Sequence, residues 1–280
     1  MSVAEIPERG PVPAGGHRAT GEGVTLTRVV RSEWTKLWSV RSTRWSLLAA
    51  FVAQAGLGPL IAALSMANWN QENGVQRLTF NAIDRALGGF EIAQLAIGVL
   101  GVLVISGEYS TGQIRSSLTA VPTRLPLLWA KLIVFASVTF VLMLLATVIG
   151  FFGAQAIFTE HAVNVTLSAP GALRAVIGVA LYLTATGIMC TALGTILRAT
   201  AGAIATFVGL LLVLPGVVAI LPANLSNSIS PYLPANAGGG IARAALTSGN
   251  LAPWTGFAVY CGYVVVLVAL AAFLLRRRDA

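Results

Sequence analysis

Charge is the scarcest property of this sequence. Only 10% of its 280 residues are Asp, Glu, Lys or Arg, whereas 56% are apolar. An average soluble protein carries about 25% charged residues, which keep its surface solvated. The deficit excludes an ordinary soluble domain, and the mean hydropathy of +0.80 excludes a disordered chain. The composition therefore favours a protein whose solvent is mostly lipid.

Cysteine and histidine are also rare. Both cysteines, Cys190 and Cys261, fall in apolar segments, where we expect them to pack as small hydrophobic residues rather than form a disulfide. The two histidines, His17 and His161, lie outside those segments, and no two carboxylates share one of them. An intramembrane enzyme needs a nucleophile with a base, paired acids or metal ligands at membrane depth. The sequence therefore disfavours an enzyme and predicts no metal site.

Long stretches without charge are what the sequence has instead. A helix needs about 20 apolar residues to cross a bilayer. Six stretches qualify, and they are continuously apolar rather than alternating, which excludes transmembrane strands. The predicted spans are 45–66, 87–106, 131–158, 175–197, 199–221 and 254–275. The sequence thus predicts an all-α integral membrane protein whose transmembrane domain covers 44–278.

Two segments before the first predicted span differ from the rest. Residues 1–24 are rich in proline and glycine and lack the apolar core of a signal peptide, so we expect a disordered cytoplasmic tail. Within 25–43, apolar residues recur at helical spacing and basic residues fall largely elsewhere. This pattern predicts an amphipathic helix on the membrane surface, anchored by Trp34, Trp38 and Trp45. A helix that binds a soluble partner is the alternative.

The basic residues predict the orientation of the chain. With the N-terminus in the cytoplasm, 14 of the 18 lysines and arginines fall on the cytoplasmic side. The four on the other side are Arg77, Arg85, Arg174 and Arg243. This bias fits the positive-inside rule and predicts that both termini are cytoplasmic. The net charge of +8 then reflects topology, and nucleic-acid binding is not needed to explain it.

Two carboxylates bound the second predicted span. Between Glu91 and Glu108 lie 16 uncharged residues, which as a helix cover about 24 Å of a hydrocarbon core about 30 Å thick. One or both carboxylates must therefore lie at a membrane boundary or slightly inside it.

Polar residues in the spans define a possible translocation path. Glu91 contacts substrate or an outer gate, or else it reaches the interface and pairs with Arg85 or Arg174. Each glutamine in a span either bonds to a neighbouring helix or contacts substrate. The candidate path residues are Gln54, Glu91, Gln94 and Gln155.

Small residues and prolines predict local packing. Ala180, Gly187 and Gly194 recur every seven residues, which indicates a close helix contact. Pro215 is expected to bend the fifth span. The loop over 222–253 is proline-rich and partly apolar. It either dips back into the membrane as short helices or forms a folded extracytoplasmic loop, and both interpretations stay open.

One cytoplasmic segment is long enough to act on a partner. Between the second and third spans, residues 107–126 contain Ile114, an apolar residue one helical turn later, and the polar neighbour Arg115. Pro122 and Pro126 end this element. The pattern predicts a short, rigid helix that faces the cytoplasm.

Three segments resemble the permease subunits of ABC-2 type transporters. They are RSEWTKLWSVRSTR at 31–44, GEYSTGQIR at 107–115 and PTRLPLLWAK at 122–131. Their order and their placement around the spans carry the likeness, which extends over 28–278. The excess of arginine over lysine, typical of high-GC coding, favours a bacterial and specifically an actinobacterial source.

The resemblance implies a permease in the bacterial plasma membrane that exports its substrate. It implies a second permease chain, as a homodimer or heterodimer, and two cytoplasmic ATP-binding cassette subunits. The segment after the second span would be the coupling helix, with Glu108, Tyr109, Gly112, Ile114, Arg115 and Arg124 at the contact. The resemblance also suggests that Glu108 pairs with an arginine of the surface helix, such as Arg31 or Arg41. Neither Lys36 nor Lys131 follows a glycine, so the chain lacks a phosphate-binding loop. ATP and magnesium are therefore expected in the partner subunit, and no cofactor in this chain.

Other membrane functions fit the sequence less well. A channel or ion-coupled transporter usually places ionisable groups near the midplane of the membrane, and the predicted spans contain none there. The alternative is a non-transporting anchor or sensor that has the architecture of a permease. Spans lined by glutamine, threonine and apolar side chains favour an amphipathic or lipophilic cargo, such as a drug, a lipid or a peptide.

Overall fold

The computed structural model describes residues 25–69, 74–110, 112, 124–245 and 249–277. Throughout these ranges the regular elements are helices, and no strand occurs among them. The predicted tail at 1–24 and the candidate coupling residues Ile114 and Arg115 lie outside the described residues.

Twelve α-helices can be numbered in chain order along the described residues. They are α1 (Leu26–Ser39), α2 (Arg41–Ala67), α3 (Gly74–Leu78), α4 (Ala82–Leu87), α5 (Phe90–Ser110), α6 (Arg124–Thr159), α7 (Ala172–Leu197), α8 (Thr200–Val208), α9 (Leu214–Ala219), α10 (Ala223–Ile229), α11 (Pro234–Gly239) and α12 (Pro253–Arg277). A π-helical turn, Gly209–Val213, joins α8 to α9, and 3₁₀ turns follow α10 and α11.

Six helical stretches of the described chain are long and apolar enough to cross a membrane. They are Arg41–Ala67, Ala82–Tyr109, Leu125–Thr159, Ala172–Leu197, Thr200–Ala219 and Pro253–Arg277. Each contains or overlaps one of the six predicted spans, so the predicted number of spans and the all-α class are confirmed. The chain is a multi-pass α-helical membrane protein.

The third span begins earlier than the sequence indicated. Its predicted start was Lys131, but α6 begins at Arg124 and runs for 36 residues. Pro126 does not end the preceding element, because it lies in the first helical turn, where its missing N–H has no intrahelical partner to lose. Lys131 is consequently the eighth residue of α6 and lies inside the helix rather than at its edge.

The helix α7 forms the centre of the bundle and contacts α5, α6 and α12. Gly187 lies directly against the Phe135 ring of α6, and Gly194 lies against Ile105 of α5. Gly101 of α5 in turn packs on the carbonyl group of Gly187. Glycine lets the backbones approach where any side chain would collide, so the predicted small-residue seam is confirmed as a packing contact.

The fifth span is interrupted where Pro215 was expected to bend it. Its first half, α8, passes into the π-helical turn before Pro215, which occupies the first turn of α9. Proline cannot donate to the carbonyl four residues earlier, and a wider turn accommodates that missing bond.

The two cysteines are free, with Cys190 buried and Cys261 half-buried, as predicted.

The segment Pro234–Ala242 packs between α7 and α12. The α-carbon of Gly238 faces the rings of Tyr182 and Tyr260, and Gly178 lies against the carbonyl group of Ile241. Tyr182 is ten residues from the start of α7, which corresponds to about 15 Å along the helix axis. This segment therefore reaches well below the end of the bundle, whereas α10 exposes all its residues except Ser226.

Candidate functional site

Four of the five carboxylates in the described part of the chain belong to two polar clusters. Glu33 and Glu108 lie in one, Asp84 and Glu91 in the other, and Glu160 lies apart. Glu91 is at the start of α5 and Glu108 near its end, 17 residues or about 26 Å away. The clusters therefore mark opposite ends of the bundle.

The first cluster, called here the lysine cluster, consists of Glu33, Lys36, Glu108 and Lys131. Lys131 Nζ donates to Glu33 Oε2 at 2.7 Å and to Glu108 Oε1 at 2.8 Å. Lys36 Nζ donates to Glu33 Oε1 at 2.7 Å and lies 3.5 Å from Glu108 Oε1. Two ammonium groups thus alternate with two carboxylates, and the four charges sum to zero.

Three elements position these side chains. Glu33 and Lys36 lie one turn apart on α1, Glu108 lies in the last turn of α5, and Lys131 projects from α6. The face of α1 that carries Glu33 also buries Val29 and Leu37 against α5 and α6 residues that include Ile105, Ala130 and Val134. Apolar packing on both sides therefore fixes the backbone from which the charged groups reach one another.

Water has little access to the centre of the lysine cluster. The side chains of Lys131 and Glu33 are each 4% exposed, that of Glu108 is 10% exposed and that of Lys36 is 39% exposed. Burial disfavours an ionised Glu33, but the charges and hydrogen bonds of Lys131 and Lys36 outweigh it and hold the pKa of Glu33 below its ordinary value. Burial also opposes the charge on Lys36, yet Glu33 and Glu108 raise its pKa above the ordinary value.

The predicted partners of Glu108 were wrong. We expected Arg31 or Arg41 of the predicted surface helix, but the partners are Lys131 and Lys36. Arg31 and Arg41 are exposed, on the side of their helices away from the buried face. The second oxygen of Glu108, Oε2, is buried and accepts no hydrogen bond from the described residues.

Further contacts extend the lysine cluster to the turn between α7 and α8. The guanidinium of Arg198 lies 5.2 Å from the centre of the Tyr109 ring, a cation–π contact. Thr200 donates to the hydroxyl of Ser106 at 2.9 Å. The end of α5 is thereby connected to α1, α6 and α8 within two helical turns.

The structure brings only some of the candidate coupling residues to this place. Glu108 and Tyr109 lie at the end of α5, and Gly112 follows with φ +71°, a conformation that glycine adopts without strain. Arg124 is the first residue of α6 and so belongs to the long third helix rather than to a separate short one. The intervening Ile114 and Arg115 lie outside the described residues.

The second cluster, called here the Arg243 cluster, surrounds residues 243–245. Arg243 donates to Glu91 Oε1 at 2.8 Å, which corrects the predicted pairing of Glu91 with Arg85 or Arg174. The carboxylate of Asp84 accepts from the backbone amide of Ala244 at 2.6 Å. An open cleft of about 340 Å³ lies beside these groups and is lined by residues that include Ile61, Arg85 and Phe90. Glu91 and Arg243 are both about half exposed, so this pair is weakly held.

The candidate path residues do not converge on one cavity. Gln94 accepts from the hydroxyl of Tyr182 at 2.6 Å and donates to the carbonyl group of Glu91. Gln155 accepts from the amide of Val165 at 2.8 Å, and Gln54 is buried on α2. Gln94 and Gln155 thus bond within the chain, and their assignment to a translocation path stays a prediction.

Sequence reasoning missed Glu33, Lys36 and Lys131 as members of a site. One signal was available, because Lys36 and Lys131 are the only two lysines in a chain with 18 lysine and arginine residues. A compact ammonium group donates in three directions to separate carboxylates, which a planar guanidinium does less readily. The presence of lysine at these two positions in an arginine-rich chain is thus a compositional signal for a site that needs a compact ammonium group.

The described residues contain no group of three or more histidine, cysteine or acidic side chains that could hold a metal ion. Hydrogen-bonded ion pairs in the lysine cluster connect three helices. Over the residues that the structure describes, the fold defines a multi-pass α-helical membrane protein with a buried ionic cluster near one end of the bundle. No family model matches the chain, and no curated protein matches it.

Proposed function

We propose that the chain is the membrane-spanning permease subunit of an ATP-binding cassette transporter. A separate cytoplasmic subunit binds and hydrolyses ATP, and a second permease chain completes the membrane part. One observation carries this proposal. The three segments that resemble ABC-2 permeases, at 31–44, 107–115 and 122–131, are the three that meet in the lysine cluster.

The geometry supports a mechanical role for that cluster. Residues 107–126 begin in the last turn of α5, which contains Glu108, and end in the first turn of α6. A push on this segment reaches Glu108 first, and Lys131 and Glu33 pass the displacement to α6 and α1. Buried ion pairs are short and directional, so they transmit a rigid-body movement that a flexible apolar contact would absorb.

The proposed orientation places the lysine cluster in the cytoplasmic half. Support comes from the charge bias, since 14 of 18 basic residues share that side when both termini are cytoplasmic. Helix α1 then lies along the inner membrane surface with Trp34 and Trp38 exposed on one side. The Arg243 cluster and the segment Pro234–Ala242 belong to the extracytoplasmic half, where the segment forms a re-entrant lining protected by α7 and α12.

An amphipathic or lipophilic compound is the proposed cargo, and export the proposed direction. The spans carry buried glutamine and threonine but no charged residue near their centres. Such a lining solvates an apolar molecule with a few polar groups better than it solvates an ion. The cleft beside Glu91 and Arg243 lies at the end where an exported compound would leave.

Site-directed cross-linking tests both the partner and the orientation. In a chain with Cys190→Ala and Cys261→Ala, a single cysteine replaces Arg115 or, as the matched control, the exposed Ser228 on α10. The chain is co-expressed with a candidate ATP-binding cassette protein from the same genome. We expect Arg115→Cys to cross-link to that protein and Ser228→Cys to react only with an impermeant maleimide added outside. Cross-linking at position 228, or external labelling at position 115, would contradict the proposal.

A further inference from the structure

The outward side of the corner between α1 and α2 combines arginine with tryptophan. On α1, Val29, Glu33 and Leu37 are buried, whereas Trp34 and Trp38 are 48% and 39% exposed. Their ring centres are 6.0 Å apart. Because residues three and four apart share a helix face, the exposed Arg31 lies on the same stripe as the two rings.

The same surface continues onto α2. Arg41, Trp45, Leu48 and Val52 follow one another at spacings of four, three and four residues, and all are exposed. Exposed apolar side chains along a spanning helix contact lipid tails, so Arg41 stands one turn beyond the tail-facing part, at the depth of the headgroups. The corner face is defined here as Arg31, Trp34, Trp38, Arg41 and Trp45.

The charge of this surface is of one sign. Between Leu26 and Arg44 the only acidic residue is Glu33, which is buried and bonded to both lysines. Among the described carboxylates, none forms a salt bridge with Arg31, Arg41 or Arg44. The lysine cluster thus removes the only negative charge from this region and leaves an arginine surface.

We propose that the corner face binds the phosphate headgroups of anionic phospholipids. Arginine donates to phosphate in pairs of hydrogen bonds, and tryptophan occupies the boundary between headgroups and tails. An acidic protein surface would match the charge but not the apolar stripe of Leu48 and Val52 that continues from it. The choice of leaflet rests on the orientation proposed above, whereas the binding itself does not.

Quenching by brominated lipids measures this binding without ATP or substrate. Trp69, Trp129 and Trp254 are changed to Phe in the full chain, which leaves three of its six tryptophans, all on the corner face. Vesicles contain phosphatidylcholine and phosphatidylglycerol, with bromine on the acyl chains of one lipid at a time. We expect brominated phosphatidylglycerol to quench more than brominated phosphatidylcholine at equal mole fraction, and salt to reduce the difference.

Paired arginine variants supply the control. Arg31→Gln with Arg41→Gln should lower the preference for the anionic lipid about fivefold for each arginine removed. Arg276→Gln with Arg277→Gln removes the same charge from the exposed last turn of α12 and should leave the preference unchanged. Circular dichroism confirms folding, and the single variants replace the pair if it unfolds. Equal quenching by the two lipids, or an equal loss in the control, would overturn the proposal and leave the face to a protein partner or to lipid without selectivity.

Discussion

Lys131 is buried in α6 and donates to two carboxylates, Glu33 and Glu108. Removing this ammonium leaves two neighbouring carboxylates with only the partly exposed Lys36 to compensate them. Such a loss costs more than the ion pair itself contributes. The stability of the cluster is therefore a property of the set. A single substitution should be far more damaging than a neutral replacement of several members together.

A double-substitution cycle tests this dependence. We expect Lys131→Met to lower the free energy of unfolding by about 3 to 5 kcal/mol, and Lys131→Met combined with Glu108→Gln to lower it by less. Arg276→Met, which removes an exposed cation, should cost about 0.5 kcal/mol or less. Thermal unfolding in detergent measures all three. Equal losses for Lys131→Met and Arg276→Met would show that the cluster is not a buried joint.

The shifted pKa values of Glu33 and Lys36 on α1 predict how the stability of the protein changes with pH. The pKa of Glu33 lies below its ordinary value of 4.5, so its stabilising contribution is present above about pH 4.5 and is lost as the pH falls through the lowered pKa. The pKa of Lys36 lies above 10.5, so its contribution is present below that value and is lost as the pH rises further. We expect the stability difference between the native chain and Glu33→Gln to be constant from about pH 6 to 9 and to shrink in acid. A difference that instead grows in acid would refute the ionised state of Glu33.

At the scale of elements, the spans were predictable because charge is excluded from lipid. Five of the six spans follow directly from gaps between charged residues. The predicted start of the third span was wrong for the same physical reason. Lys131 was read as the edge of the membrane, but Glu33 and Glu108 compensate its charge inside the helix. Glu33 is 98 residues away in sequence, and no local pattern reveals that contact.

Gly238 is one of the glycines that let the segment Pro234–Ala242 pack between α7 and α12. A β-carbon on Gly238 would lie about 2.7 Å from the rings of Tyr182 and Tyr260, whereas one on Gly240 would meet nothing within 4 Å. We expect Gly238→Ala to cost about 1 to 3 kcal/mol by overpacking, and the matched control Gly240→Ala to be neutral or slightly stabilising. Thermal unfolding of the two variants decides. A neutral Gly238→Ala would mean that the segment is not held between α7 and α12.

At the scale of the whole molecule, the sequence predicted six spans but not how they are tied together. The pairing of Glu91 with Arg243 joins residues 152 positions apart, and the lysine cluster joins three elements. Such pairings follow from the packing of α7 against its neighbours, which small residues permit but do not specify. The one available clue was compositional, namely two lysines among 18 basic residues.

Both clusters acquire a role if the chain is a permease. The lysine cluster lies where force from an ATP-binding subunit would arrive, and the weaker Arg243 cluster lies where the opposite end would open. A strong joint at the driven end and a labile one at the release end are consistent with alternating access.

Reconstituted transport tests that central claim most directly. Proteoliposomes containing this chain and a candidate ATP-binding cassette protein from the same genome are supplied with ATP and a panel of labelled amphipathic compounds. The account predicts ATP-dependent movement of at least one compound that requires both proteins. It also predicts that Glu108→Gln retains ATP hydrolysis but loses most of the transport. Hydrolysis that is the same with and without this chain, together with no movement of any compound, would contradict the account and favour an anchor or sensor.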